Sequence, residues 1–93
     1  MSNTIHIIFG NYTHAGAYSQ RKVVNPVHIL VATHPERIQA MMKESVTTIK
    51  LIRLPKEIWE PTTHPCKTRV DETERIVKGY QRLGVTVVEE NGF

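Results

Sequence analysis

Val27-His28-Ile29-Leu30-Val31-Ala32-Thr33-His34-Pro35-Glu36 is the stretch whose reading decides the fold. Its first six residues are nearly all apolar and rich in β-branched side chains, as expected of a strand covered on both faces. Asn25-Pro26 opens it, because proline can start a strand but cannot sit within a central ladder. The next four residues read as a helix entrance. The Thr33 hydroxyl is placed to cap the N–H of Glu36, and the Glu36 carboxylate to reach back to the N–H of Thr33. Pro35 falls in the first turn, where a missing N–H costs nothing. Ile38, Met41, Met42 and Ser45 follow at helical spacing, giving an amphipathic helix over residues 34–45. A buried strand feeding directly into a helix marks a layered sheet-and-helix protein.

Upstream, Thr4-Ile5-His6-Ile7-Ile8-Phe9 alternates as a second strand and Gly10 stops it. Residues 11–26 allow two readings. A short helix over 15–24 would make the whole chain alternate strand and helix around a parallel sheet. A strand over 17–24 would instead pair with the first strand across a loop at 11–16. The alternation Tyr18, Gln20, Lys22, Val24 and the lack of a three-residue apolar stripe tip the choice towards the strand.

Downstream, Thr47-Thr48-Ile49-Lys50-Leu51-Ile52-Arg53-Leu54 returns as a strand, its interleaved cations suggesting an edge. Residues 55–70 hold Pro55, Pro61 and Pro65 around Trp59 and read as a proline-rich loop that the indole pins to the body. Asp71 then caps a helix whose stripe is Ile76, Val77, Tyr80 and Leu83. Gly84 ends that helix, Val85-Thr86-Val87-Val88 forms the last strand, and residues 90–93 are expected to fray. The expected fold is α+β in two layers, a mixed four- to five-stranded sheet against two main helices, compatible with a ferredoxin-like element order.

Ninety-three residues with 40% hydrophobic and 23% charged content make one small globular domain spanning 1–93. No apolar run approaches the roughly 20 residues of a membrane span, and no basic-then-apolar leader opens the sequence. A single cysteine, Cys66, suits a reducing compartment, so a cytoplasmic protein without membrane partners is expected.

Charge is unevenly spread. Residues 1–56 carry seven cations against Glu36 and Glu44, while residues 57–93 carry five against seven acids. The front is therefore +5 and the back −2 within a net charge of +3. Residues 10–22 hold no acid but offer Gly10, Gly16, Tyr12, Tyr18, His14, Arg21 and Lys22. Glycine turns let backbone N–H groups approach phosphates and tyrosine faces stack on bases, as a single-strand nucleic-acid or nucleotide site requires. The glycine spacing fits neither a dinucleotide fingerprint nor a P-loop. The expected function is a non-enzymatic nucleic-acid-binding module whose contacts are Tyr12, His14, Tyr18, Arg21, Lys22, Lys50, Arg53 and Lys56.

The alternative is a small regulatory protein, an inhibitor or adaptor, that binds a protein target through Trp59 and the surrounding loop. A third reading, a small-ligand protein or enzyme, uses Gly10, Asn11, Thr33 and His34, since the carboxyl ends of strands and the amino ends of helices attract anions. No acid–base pair or activated nucleophile presents itself, so no catalytic residue and no cofactor is expected. His64 and Cys66 lack the further ligands that a zinc site needs, so no metal is expected either. An edge strand on so small a domain leaves room for a symmetric homodimer.

Overall fold

The computed structural model describes residues 3–92. Strands β1 (Thr4–Phe9), β2 (Ile29–Val31), β3 (Thr48–Arg53) and β4 (Thr86–Asn91) alternate with helices α1 (Tyr12–Lys22), α2 (Pro35–Met42) and α3 (His64–Arg82), and a 3₁₀ turn at Pro26–His28 leads into β2. The four strands form one sheet in the order β2-β1-β3-β4, and every pairing is parallel. The expected mixed sheet is thereby corrected to a parallel one with three helices. The step from β1 to β2 runs one way across the sheet, and the steps to β3 and β4 run the other. Crossovers of one hand then put α1 on one face and α2 and α3 on the opposite face.

Two hydrophobic clusters follow from that division. Ile5, Ile7, Phe9, Leu30, Ile49 and Leu51 point towards α2 and α3 and meet Ile38, Met42, Val70 and Val77. Ile8, Val31 and Ile52 point the other way and meet Tyr18 of α1. β1 is buried from Ile5 to Phe9 on both faces, as central parallel strands are. Each large aliphatic side chain placed there contributes about 2 kcal/mol.

Thr73 is wholly buried, and its hydroxyl donates to the Ala32 carbonyl at 2.6 Å, tying α3 to the turn between β2 and α2. The β3–α3 loop is held by Trp59, which is half-buried and packs on the larger cluster.

Several expected segments differ. The strand expected over 27–32 is confined to Ile29–Val31 behind a 3₁₀ turn and lies at an edge of the sheet, while β3, expected at an edge for its cations, is internal between β1 and β4. Residues 12–22 are helical rather than the preferred strand, because Tyr18 alone supplies the large buried side chain that an apolar stripe would otherwise provide. The last helix begins at His64 with Thr63 as its N-cap, so the proline-rich loop ends seven residues before 70 and Asp71 is an exposed mid-helix residue. Pro65 sits in the first turn of α3, where the missing N–H is harmless. The tail expected to fray is strand through Asn91 with Gly92 buried, and Phe93 lies outside the described residues. The expected Thr33–Glu36 capping box is absent as well. His34 occupies the N-cap of α2 and makes no side-chain cap hydrogen bond.

Val23 closes α1 with φ 53°, a left-handed conformation that costs a β-branched residue roughly 1–2 kcal/mol, and its side chain is 90% exposed. Val23→Gly is expected to raise unfolding free energy by about 1 kcal/mol in urea titrations. Thr73→Val is expected to lower it by roughly 1–3 kcal/mol by orphaning a buried carbonyl, with Thr73→Ser retaining more of the stability.

Candidate functional site

Parallel strands bring all three strand-to-helix turns to one edge of the sheet, the carboxyl edge. At the end of β1 the chain passes through Gly10 into a reciprocal cap. Asn11 Oδ1 accepts from the His14 N–H at 3.1 Å, and His14 Nδ1 accepts from the Asn11 N–H at 3.1 Å. A Cβ on Gly10 would lie 2.6 Å from His14 Nδ1 and 2.8 Å from Leu54 Cδ1, so glycine is what lets the strand end tuck beneath the helix. The strand order reverses here, between β1 and β3, which is where open parallel sheets bind ligands.

Beside this turn the two layers touch. The Tyr12 ring, 56% exposed at the start of α1, stacks on the His34 ring at the start of α2 with centroids 5.2 Å apart and planes tilted by 34°. Arg37 Nη1 donates to the Tyr12 hydroxyl at 3.5 Å. His34 Nδ1 lies 3.2 Å from Glu36 Oε1. The Glu36 carboxyl is held below its ordinary range by its own backbone N–H and by His34, with smaller help from Arg69 of α3. The N-cap residues of α2 and α3 make no side-chain cap hydrogen bond. The first turn of α2 is nonetheless satisfied, since Pro35 has no N–H, Glu36 N–H meets its own carboxylate and Arg37 N–H donates to the His34 carbonyl at 3.1 Å, so α3 is the helix that opens without a capping side chain. The result is an aromatic pair, with Tyr12 exposed, flanked by a guanidinium. Such a surface can stack a flat ring and hold an anion.

The residues expected to contact nucleic acid divide between places. Tyr12, His14 and Lys56 lie at the carboxyl edge. Arg21 and Lys22 lie in the last turn of α1, at the opposite edge. Lys50 sits in mid-β3 on the α1 face, level with His6. Tyr18 is 2% exposed and has no ring face to offer a base. Arg53 is held inward: its Nη2 meets Glu74 at 2.8 Å, its Nε meets Glu89 at 3.0 Å, and its guanidinium lies 4.1 Å from the Phe9 ring centroid. Trp59 is half-buried against the larger cluster, and its neighbour Ile58 is an exposed apolar residue of that loop. His64 opens α3 and Cys66 is a free, half-buried thiol; among the described residues no three potential ligands gather for a metal. Arg37 is absent from the expected contacts, and His34 figures only in the small-ligand reading beside Gly10, Asn11 and Thr33. Their signal was the parallel alternation itself, which puts the first turns of α1 and α2 side by side.

A second polar group lies beneath α1. His6 is 9% exposed, and its Nδ1 has no hydrogen-bond partner. Its ring lies 5.9 Å from that of Tyr18, whose hydroxyl donates to Glu90 Oε2 at 2.6 Å. Burial, then Lys50, push the His6 pKa down, against smaller upward effects from the His28 backbone and Glu90. Burial and the Glu90 carboxylate push the Tyr18 phenol up, and the same hydrogen bond holds Glu90 down. A cavity of about 440 Å³ opens at the amino edge, lined by Ile5, Val27, His28, Met41 and Val46 among others, remote from the aromatic pair.

No family model, curated protein or solved structure matches the chain.

Titration separates two stabilising groups. With the folded His6 pKa below 6.5, the unfolded state takes up the proton first. Its contribution is therefore complete above 6.5 and falls as pH drops through the interval down to the folded value. Glu90, lowered from 4.5, contributes above that value and loses its share only as pH falls below it. Urea titrations across pH are expected to find that His6→Phe flattens the upper window and Glu90→Gln the lower.

Proposed function

We propose that the chain is a non-enzymatic module that binds single-stranded nucleic acid at the carboxyl edge of its sheet. A base stacks on the exposed face of Tyr12, whose other contacts are the His34 ring and the Arg37 guanidinium. Phosphate oxygens are met by Arg37 and by Lys56. The observation that carries the proposal is the Tyr12–His34 ring pair, 5.2 Å between centroids, at the carboxyl ends of the neighbouring strands β1 and β2, with the Tyr12 ring open to solvent. Lys22 and Lys50 stand too far along α1 and β3 to share that contact, so the footprint is short and the number of neutralised phosphates small.

Few phosphate contacts mean a shallow salt dependence, because each one adds about −0.7 to the slope for a single strand. The competing proposal, a regulatory protein gripping a protein target, draws on the β3–α3 loop, where half-buried Trp59 stands beside exposed Ile58.

Fluorescence anisotropy with a labelled oligonucleotide of about ten residues tests the first proposal. Binding is expected at about 50 mM salt and should weaken towards 200 mM. Tyr12→Ala should cost roughly 1–3 kcal/mol of affinity, and Arg37→Ala should reduce the salt slope by about one phosphate. Absence of binding at low salt, or an unchanged affinity for Tyr12→Ala, would remove it, and retention of binding by Ile58→Asp separates it from the protein-target proposal.

A further inference from the structure

The two edges of the sheet are unlike. β2 contributes three residues and is preceded by a 3₁₀ turn, which leaves little backbone to template another strand. β4 is six residues long, regular and free of proline, and Thr86, Val88, Glu89 and Asn91 are exposed along it.

The hydrogen bonds assign which of its backbone groups are free. Thr86 N–H donates to the Thr47 carbonyl at 3.1 Å and Gly92 N–H to the Arg53 carbonyl at 2.8 Å. The even-numbered residues of β4 therefore face β3. Successive residues of a strand alternate their backbone groups between its two sides, so Val87, Glu89 and Asn91 direct theirs outward.

Glutamates on an edge strand ordinarily guard it against pairing. Here both carboxylates are drawn away from the edge. Glu89 bonds Arg53 of β3 beneath it, and Glu90 bonds Tyr18 of α1 above it. What the edge presents is an unguarded row of outward donors and acceptors with Val88, 42% exposed, at its centre.

We propose that this edge binds a second copy of the chain, β4 pairing antiparallel with β4 of the partner about a two-fold axis through Val88. The strand admits this register and penalises its neighbour. With the axis at Val88, Val87 faces the partner's Glu89 and exchanges both backbone hydrogen bonds with it. Thr86 faces the partner's Glu90, and Val88 meets the partner's Val88 in the close, non-hydrogen-bonded position. No charge faces a like charge. With the axis at Glu89, that carboxylate would face its own copy, a destabilising arrangement. The chosen register yields one continuous eight-stranded sheet and leaves the carboxyl-edge surface of each copy open, so the proposal stands apart from the binding of nucleic acid.

Light scattering of the eluting wild-type chain at about 100 µM tests it. A mass twice the 10.7 kDa of one chain is expected. Val88→Lys and Val88→Glu, alone, should each run as monomers, since each places like charges in the close pair. Mixed in equal amounts they should restore the double mass, because only the Val88 register sets the two new charges opposite one another. Far-UV circular dichroism and melting of each variant check that it is folded; Val88→Glu has Lys50 in register beside it on β3 and is the safer of the two. A monomeric wild type overturns the proposal. So does a folded Val88→Glu that still dimerises, or a mixture that stays monomeric.

Discussion

Strand Thr4–Phe9 is hydrogen-bonded on both sides and buried on both faces, and a backbone so placed has no water to fall back on. Its pairing with Ile29–Val31 on one side and Thr48–Arg53 on the other sets the register of the sheet. Its alternating side chains then divide the interior, with Ile5, Ile7 and Phe9 serving the face of two helices and His6 and Ile8 the face of one. Burial on both of its faces joins the two hydrophobic clusters to one strand, and the parallel arrangement calls for a crossover between successive strands, here a helix each time.

That arrangement also explains where polar chemistry collects. All strands end on one side, so the first turn of each following helix, the Asn11–His14 cap and the Tyr12–His34 pair share one edge. The single-helix face is more thinly covered. Tyr18 reaches across it to Glu90, and the cost is a histidine with an unpaired ring nitrogen beneath the helix. The same hydrogen bond, with the Arg53–Glu89 pair, keeps the acids of the last strand off its outer edge. Interior packing and the character of the exposed edge are thus set by one group of contacts.

The parts of the fold legible in the residues were those with local signals. β-branched alternation marked the first and third strands, and the stripe of Ile38 and Met42 marked α2. Helix Tyr12–Lys22 was misread because its amphipathicity resides in Tyr18 with Ala15 beside it, too little to distinguish a period of 3.6 from one of 2. The start of α3 was missed because Pro65 reads as a breaker unless the position of the first turn is known. Of the candidate contacts, Tyr12 and His14 were legible from composition. Arg37 and His34 were not joined to them, because their proximity to Tyr12 spans more than twenty residues of chain and depends on strand order.

Composition and periodicity by themselves determined a fold of strands and helices and the residues that make its core strands, since both depend on local spacing and on the area available to bury. Whether the sheet is parallel or mixed was decided only in three dimensions, by residues 12–22 returning as a helix across the face of the sheet and not as a strand within it. So was the fate of the cations. Arg53 is bound by Glu74 and Glu89 from distant elements, while Arg21 and Lys22 are carried to the opposite edge from Tyr12 by the length of a helix. Charge counted along a chain carries no information about direction, and electrostatic fields depend on distance in space.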